Sequence, residues 1–328
     1  MAHWVKLAGH AVVAFVVIVL VAPLRWLPWR AALTIGRWYG YAGFVVYPVG
    51  RRASQINLRN IYGPAMSRAE ACQQTIRVFG SLGQALAEGL QFSRRFAGGS
   101  AGWDHLFDIE DAELHQQIVN DPRPKVLVTA HLGSWEMTVA AAGLRMGHGA
   151  VLMRRIDNPF VEYLLRRTRP SQAPFIGKHG GAAAAVAQLE RRSNVALLLD
   201  ENAGYKGVWA DFLGRPASTH RTAALLSART GSLIVVSAAV RRPGGRYLYR
   251  LARIEPVSQP DSIGAVTQQI TSVLEQWIRE DPLQWRWIHW RWKTRPDGTE
   301  ETYTGKDLRA CFAPTPAANL SRKGDTHS

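Results

Sequence analysis

From about residue 103 onward, the apolar positions of the chain follow two alternating rhythms. Short apolar or β-branched runs at 104–109, 125–130, 149–153, 195–199, 233–240 and 247–253 have the length and composition of strands. The stretches at 111–120, 134–146, 158–169, 180–192, 219–230 and 263–279 have helix-forming composition or apolar residues at helical spacing. This alternation predicts an α/β domain with a central, largely parallel sheet flanked by helices. Only Arg241 to Arg246, RRPGGR, separates the last two strands, and this hairpin-like turn makes the predicted sheet mixed. The domain is expected over 101–312, ahead of a polar tail at 313–328 whose composition predicts disorder.

The region before the sheet has a different pattern. Residues 11–22, AVVAFVVIVLVA, are unbroken apolar, and Arg25, Trp26, Trp29 and Arg30 follow them. Extended from Leu7 to Leu24, the run is at the lower limit for a spanning helix. A spanning anchor, a helix lying on the membrane and a signal peptide compete as readings. Cleavage after Ala22 would place bulky Leu20 where a small residue is needed and Pro23 directly after the cut. An uncleaved N-terminal membrane-anchoring helix within 1–28 is therefore expected, and the Lys/Arg excess behind it keeps the body cytoplasmic. Residues 29–100 then form a helical membrane-proximal region. Its 29–50 stretch reads as a second membrane-skimming helix or as a buried one. Ser67 to Glu70 has the pattern of a capping box, and Cys72, Ile76, Phe79, Leu82, Leu86 and Leu90 recur behind it as a core stripe. Gly98 to Gly102 fits the G-x-S-x-G pattern, but no buried strand precedes it, so it reads as a linker.

The stretch with the most chemistry is Lys125 to Met137, KVLVTAHLGSWEM. A buried strand ends at His131, Gly133 breaks the chain direction, and Glu136 falls in the first turn of the next helix. On one continuous helix His131 and Glu136 would lie about 140° apart. A turn at Gly133 lets them converge. A neutral imidazole suits proton abstraction from a hydroxyl, and a carboxylate on its other nitrogen would fix the tautomer. His131 and Glu136 are the catalytic candidates, against the plain alternative of a capped helix start.

The string AHLGSWEM resembles the HxxxxD/E block of the bacterial lipid A late acyltransferases, the lauroyl/myristoyl transferases of the lysophospholipid acyltransferase superfamily. Ser134 stands where that family usually has Asn. Asn57-Leu58-Arg59, DENAG at Asp200 to Gly204, FLG at Phe212 to Gly214, and PLQWRWIHWRWKTRPDG at Pro282 to Gly298 are similar to family landmarks in the same order. The resemblance spans roughly 25–298. It implies a glycerolphosphate-acyltransferase-like fold and transfer of a fatty acyl chain from an acyl thioester to a hydroxyl of a lipid A precursor. Acyl carrier protein or acyl-CoA would be the donor. The thioester is a co-substrate, so no cofactor is implied, and the site would face the cytoplasm at a bacterial inner membrane. Another glycolipid or a lysophospholipid is the alternative acceptor. Glu201 and the His220-Arg221 pair depart from the family pattern.

Other polar residues cluster near the predicted strand ends. Arg154 closes one strand, and Arg167 and Arg169 close the next helix, with Lys178 downstream. Arginine forks at a sheet edge suit a phosphate, although charge runs are more often solvated faces. The resemblance points to Arg167 or Arg169 without choosing between them. Asp200 ends an apolar strand and reads equally as a site carboxylate or as a turn residue. Trp285, Trp287, Trp290 and Trp292 interleave with basic side chains and are read as structural.

The chain has 40 Lys and Arg against 25 Asp and Glu, a net charge of +15, which calls for an anionic partner. Its 12 Trp residues favour a membrane over nucleic acid. No metal-ligand spacing is present. The rival from another class is a non-enzymatic basic protein that binds membranes or nucleic acid. That reading gives a strand-end HLGSWE no role.

Overall fold

The computed structural model describes residues 19, 21–95, 103–147, 149–153, 158, 162, 175–177, 180–256 and 262–298. Three helices come first: α1 (Trp29–Val46), α2 (Pro48–Tyr62) and α3 (Arg68–Arg95). The capping box forms at the start of α3, with Glu70 N donating to Ser67 Oγ at 3.1 Å and Ser67 N to Glu70 Oε2 at 2.8 Å. α1 crosses α3 at backbone contact. A β-carbon on Gly40 would lie 2.0 Å from the Phe79 carbonyl oxygen, so only glycine fits that crossing.

The sheet domain then follows in order. It runs α4 (Trp103–Leu106), β1 (Phe107–Ile109), α5 (Ala112–Asn120), β2 (Lys125–Thr129), α6 (Trp135–Met146), β3 (Gly149–Leu152) and β4 (Phe175–Ile176). It continues with α7 (Gly181–Glu190), β5 (Asn194–Leu198), β6 (Val208–Phe212), β7 (Arg215–Thr219), α8 (Thr222–Thr230), β8 (Leu233–Arg241), β9 (Tyr247–Ile254) and α9 (Ile263–Glu280). Seven strands form one sheet in the order β1-β9-β8-β2-β5-β3-β4. Every pairing is parallel except β8 with β9, the antiparallel hairpin predicted at RRPGGR.

The central strands are buried along almost their whole length and mostly apolar because both faces of the sheet are covered. Alternate side chains point to opposite faces. Val126 and Val128 of β2 join Val195, Leu197, Ile234 and Val236 in a core closed by α7, α8 and α9. Leu127 joins Ala196, Val235 and Ala239 in a second core, closed by α5 and α6.

The structure corrects several boundaries. The first predicted strand, 104–109, is half helix, since α4 occupies Trp103–Leu106 and only Phe107–Ile109 pairs in the sheet. The 219–230 helix starts at Thr222, because Thr219 ends β7. β6 and β7 form a separate two-stranded hairpin that the apolar pattern did not reveal. Its loop is Leu213-Gly214, both with positive φ (54° and 76°), so FLG is a tight turn. The predicted 158–169 helix lies outside the described residues except for Asn158 and Glu162. The predicted N-terminal anchor also lies largely outside them. Among the described residues no helix is long and apolar enough to cross a membrane.

Candidate active site

The site is built where β2 and β5 end side by side. The two strands pair in parallel through Thr129 and Leu198, so Ala130-His131 and Leu199-Asp200 emerge together at their carboxyl ends. Gly133 then turns the chain with φ 63°. A β-carbon there would sit 2.1 Å from the Ala239 carbonyl oxygen, so no other residue fits without displacing β8. The turn is clamped from both sides. Gly133 N donates to Gln284 O at 3.0 Å, Ser134 N to Ala239 O at 3.1 Å, and Arg286 N to His131 O at 3.0 Å. α6 begins at Trp135, and its N-cap Ser134 gives no side-chain cap to the helix. Ser134 Oγ is buried without a hydrogen-bond partner.

The carboxylate on the imidazole is Asp200. Its Oδ1 lies 2.9 Å from His131 Nδ1, and its Oδ2 accepts from His131 N at 2.8 Å and from Trp285 Nε1 at 2.9 Å. Asp200 is almost fully buried, whereas the His131 side chain retains 17% exposure. His131 Nε2 has no hydrogen-bond partner among the described residues. Burial alone would raise the Asp200 carboxyl. The charge and hydrogen bonds of His131, with Arg286 behind them, outweigh burial and hold it well below the usual carboxylate range.

The sequence spacing suggested Glu136 for this orienting contact. Glu136 does fall in the first turn of α6, as predicted, but its carboxyl reaches toward α3. A β-carbon on Gly89 would lie 3.3 Å from Glu136 Cδ, so that glycine leaves room for it. The Nδ1 partner instead comes from a strand 69 residues away, by the cross-sheet pairing of β2 with β5.

Asp200 lies between further polar contacts. Glu201 pairs with the Arg286 guanidinium. Burial pushes the Glu201 carboxyl up, but the Arg286 guanidinium, with His131 after it, outweighs burial and holds the carboxyl below its usual range. Asn202 N donates to His289 Nε2 at 3.0 Å, and Asn202 Nδ2 to Thr294 Oγ1 at 3.0 Å. Burial pushes His289 down to about 4, so it is neutral at physiological pH, as its acceptor role requires.

The Trp-rich block is the wall behind this site. Trp285, Trp287 and Trp292 are each no more than 1% exposed. They are core residues and offer no ring face for stacking on a base. Trp285 packs edge-on to Trp287 and to Phe212, with centroids 4.7 and 5.4 Å apart. Asn57, the first residue of the NLR landmark, ties α2 to this block by donating to the carbonyls of Trp287 and His289. Arg291 is buried over Phe212 and donates to Ser218 O at 2.5 Å and Thr219 Oγ1 at 2.6 Å. Burial pushes its guanidinium down to about 10, still charged at neutral pH, and the nearby Asp200 charge opposes the shift.

Of the sequence-derived site residues, the structure brings His131 and Asp200 together and sets Glu136 on the adjoining helix turn. Arg154, Arg167, Arg169 and Lys178 lie outside the described residues. Glu201, which follows Asp200 at the strand end, joins the site with Arg286, His289 and Trp285. For these last three the signal available was the basic–aromatic alternation, which was read as structural alone. Among the described residues no group of His, Cys, Asp and Glu could hold a metal ion.

A histidine on a buried carboxylate, at the carboxyl ends of adjacent parallel strands, with its second ring nitrogen unpaired among the described residues, is an arrangement suited to acid–base chemistry. The chain belongs to the bacterial lipid A biosynthesis acyltransferase family, which it matches over residues 4–294. It is similar to the lipid A biosynthesis lauroyltransferase of Escherichia coli (strain K12), with 24% identity over 307 residues, 87% of this chain and 97% of the relative. The protein is thus an acyltransferase of the family that its HLGSWE and Trp-rich blocks resemble.

Proposed function

We propose that the protein moves a fatty acyl chain from an acyl thioester, on acyl carrier protein or coenzyme A, to a hydroxyl of a lipid A precursor. Family membership supports acyl transfer in lipid A biosynthesis. The observation that carries the mechanism is His131, held at Nδ1 by buried Asp200 with Nε2 free. Nε2 takes the proton of the acceptor hydroxyl as its oxygen attacks the thioester carbonyl. The tetrahedral intermediate collapses, the C–S bond breaks, and the imidazolium returns the proton to the leaving thiolate. No covalent acyl-enzyme forms. Asp200 fixes the tautomer and stabilises the imidazolium. Glu136 adds negative charge at the adjoining helix turn that favours the same imidazolium. The amides at the start of α6, which the Ser134 side chain does not cap, would receive the oxyanion. We assign phosphate binding to Arg167 or Arg169 with Lys178 on the resemblance, and to Arg154 on its position at the end of a predicted strand.

We place this reaction at the cytoplasmic face of the bacterial inner membrane. The supporting surface runs along α1 to its corner with α2, where Trp38, Val45, Val46 and Val49 are each at least 50% exposed and Arg30 and Arg37 are exposed on α1.

The test uses the purified full-length protein in lipid vesicles, with an acyl thioester and a lipid A precursor. Thiol release that depends on acceptor, with a product heavier by one acyl chain in mass spectrometry, is the expected result. Thiol release indifferent to the acceptor would make the protein a thioesterase and reject the proposal. Comparing carrier-protein and coenzyme A thioesters identifies the donor.

A further inference from the structure

Arg286 is poorly paired for a cation in its position. A guanidinium carries five N–H donors. Arg241, by comparison, spends its donors on Glu88, Ser81 and Gln84. Among the described residues Arg286 makes a single side-chain hydrogen bond, from Nη2 to Glu201 Oε1, and its buried Nε has no partner. Its backbone is fixed beside the reacting ring through the bond from Arg286 N to His131 O. Glu201, next to the carboxylate that holds His131, is the more exposed member of the pair, at 43% against 26%.

The Glu201–Arg286 pair is not needed to hold the two loops together. Asp200 is bonded to Trp285 on one side of it, and Asn202 to His289 and Thr294 on the other. The Asp200–Trp285 contact is buried, and an ion pair as exposed as this one adds little to these bonds. A fork with unspent donors at the mouth of a reaction site suits an anion with several oxygens.

We infer that Arg286 is an anion-binding residue of the active site, taking a phosphate oxyanion of a substrate, and that Glu201 is its displaceable internal partner. In the resting protein Glu201 occupies one edge of the guanidinium. A phosphate displaces it and engages the Nη donors, seating the substrate beside His131 Nε2. This rests on the reading of His131 as the reacting site. The phosphate could belong to the acceptor or to the phosphopantetheine arm of the donor.

The inference gives the two partners opposite signs, which a structural ion pair would not. In steady-state kinetics with the full-length protein, Glu201→Gln should lower KM for the phosphate-bearing substrate about three- to tenfold. Arg286→Gln should raise it about tenfold or more with a smaller change in kcat, and Arg286→Lys should recover part of the loss. With a dephosphorylated acceptor, or a pantetheine thioester lacking the phosphate, the Arg286→Gln penalty should vanish for whichever substrate supplies the group. If both substitutions raise KM and lower Tm together, the pair is only structural and the inference fails. Unchanged KM in both variants also overturns it. Should the wild type show no thioester turnover, the proposed function has failed instead. Inorganic phosphate then serves as probe, and its stabilisation of the resting protein should be stronger in Glu201→Gln and weaker in Arg286→Gln.

Discussion

At the scale of the residue, the site depends on which carboxylate meets which ring. Asp200 supplies three acceptor contacts from a position almost closed to solvent, and two of them go to His131. Replacing Asp200 with Asn leaves a group that can no longer stabilise an imidazolium. Asp200→Asn should therefore reduce turnover more than Glu136→Gln does, with the fold intact by circular dichroism. The reverse order would return the orienting role to Glu136. His289 gives a separate prediction on stability. Folded His289 takes up a proton only near pH 4, whereas the unfolded side chain does so near 6.5. Between these values the unfolded chain binds more protons, so stability rises with pH there and falls as pH drops from about 6.5 to about 4. Asp200 and Glu201, also held low, add their own loss as pH falls further, below their unfolded values of 3.8 and 4.5. Denaturant midpoints measured across this range should flatten in His289→Gln. An unchanged slope would mean that the acid sensitivity arises elsewhere.

At the scale of the element, the sequence made some features plain and hid others, for physical reasons. β2 was legible because a strand buried on both faces is a continuous apolar run, and the turn after it because Gly133 is the only residue that tolerates its φ and its contact with β8. The β6–β7 hairpin was hidden because alternate residues of its first strand are exposed and Pro216 interrupts its second. The Asp200 contact was hidden because it depends on strand order, which local spacing does not encode. The Trp block was assigned to structure correctly, but its Arg286 faces the site. A further link joins the helical layer to the turn at Gly133. Buried Glu88 on α3 binds Arg241 at the end of β8. Gln284 bridges Arg241 and Gly133, accepting from Arg241 N and, through its own carbonyl, from Gly133 N. Glu88→Ala leaves a buried guanidinium unpaired, and should cost about 3–5 kcal/mol of stability in denaturant unfolding. A loss within 1 kcal/mol, on the order of a surface pair, would show that Arg241 finds water or another partner.

At the scale of the molecule, charge and apolar surface point to the same partner. The net charge of +15 attracts anionic headgroups, and the α1–α2 corner presents Val45 and Val46 at 68% and 77% exposure. The Val45→Asp/Val46→Asp double variant should float less readily with vesicles containing anionic lipid, and added salt should weaken the residual binding. Flotation equal to the wild type at all salt concentrations would move the membrane contact away from this corner. The same layer reaches the site through α3, where Gly89 adjoins Glu136 and Glu88 holds Arg241. A bilayer contact at the corner would thus bear on the element that packs against the catalytic turn.

The central claim is that His131 Nε2 removes the proton of the acceptor hydroxyl. The most direct measurement is single-turnover acyl transfer by His131→Ala at saturating substrate, in protein shown to be folded and vesicle-bound. The rate should fall by about 10²-fold or more, on the order of the loss of a general base. A folded His131→Ala protein that transfers the acyl chain at close to the wild-type rate would contradict the account.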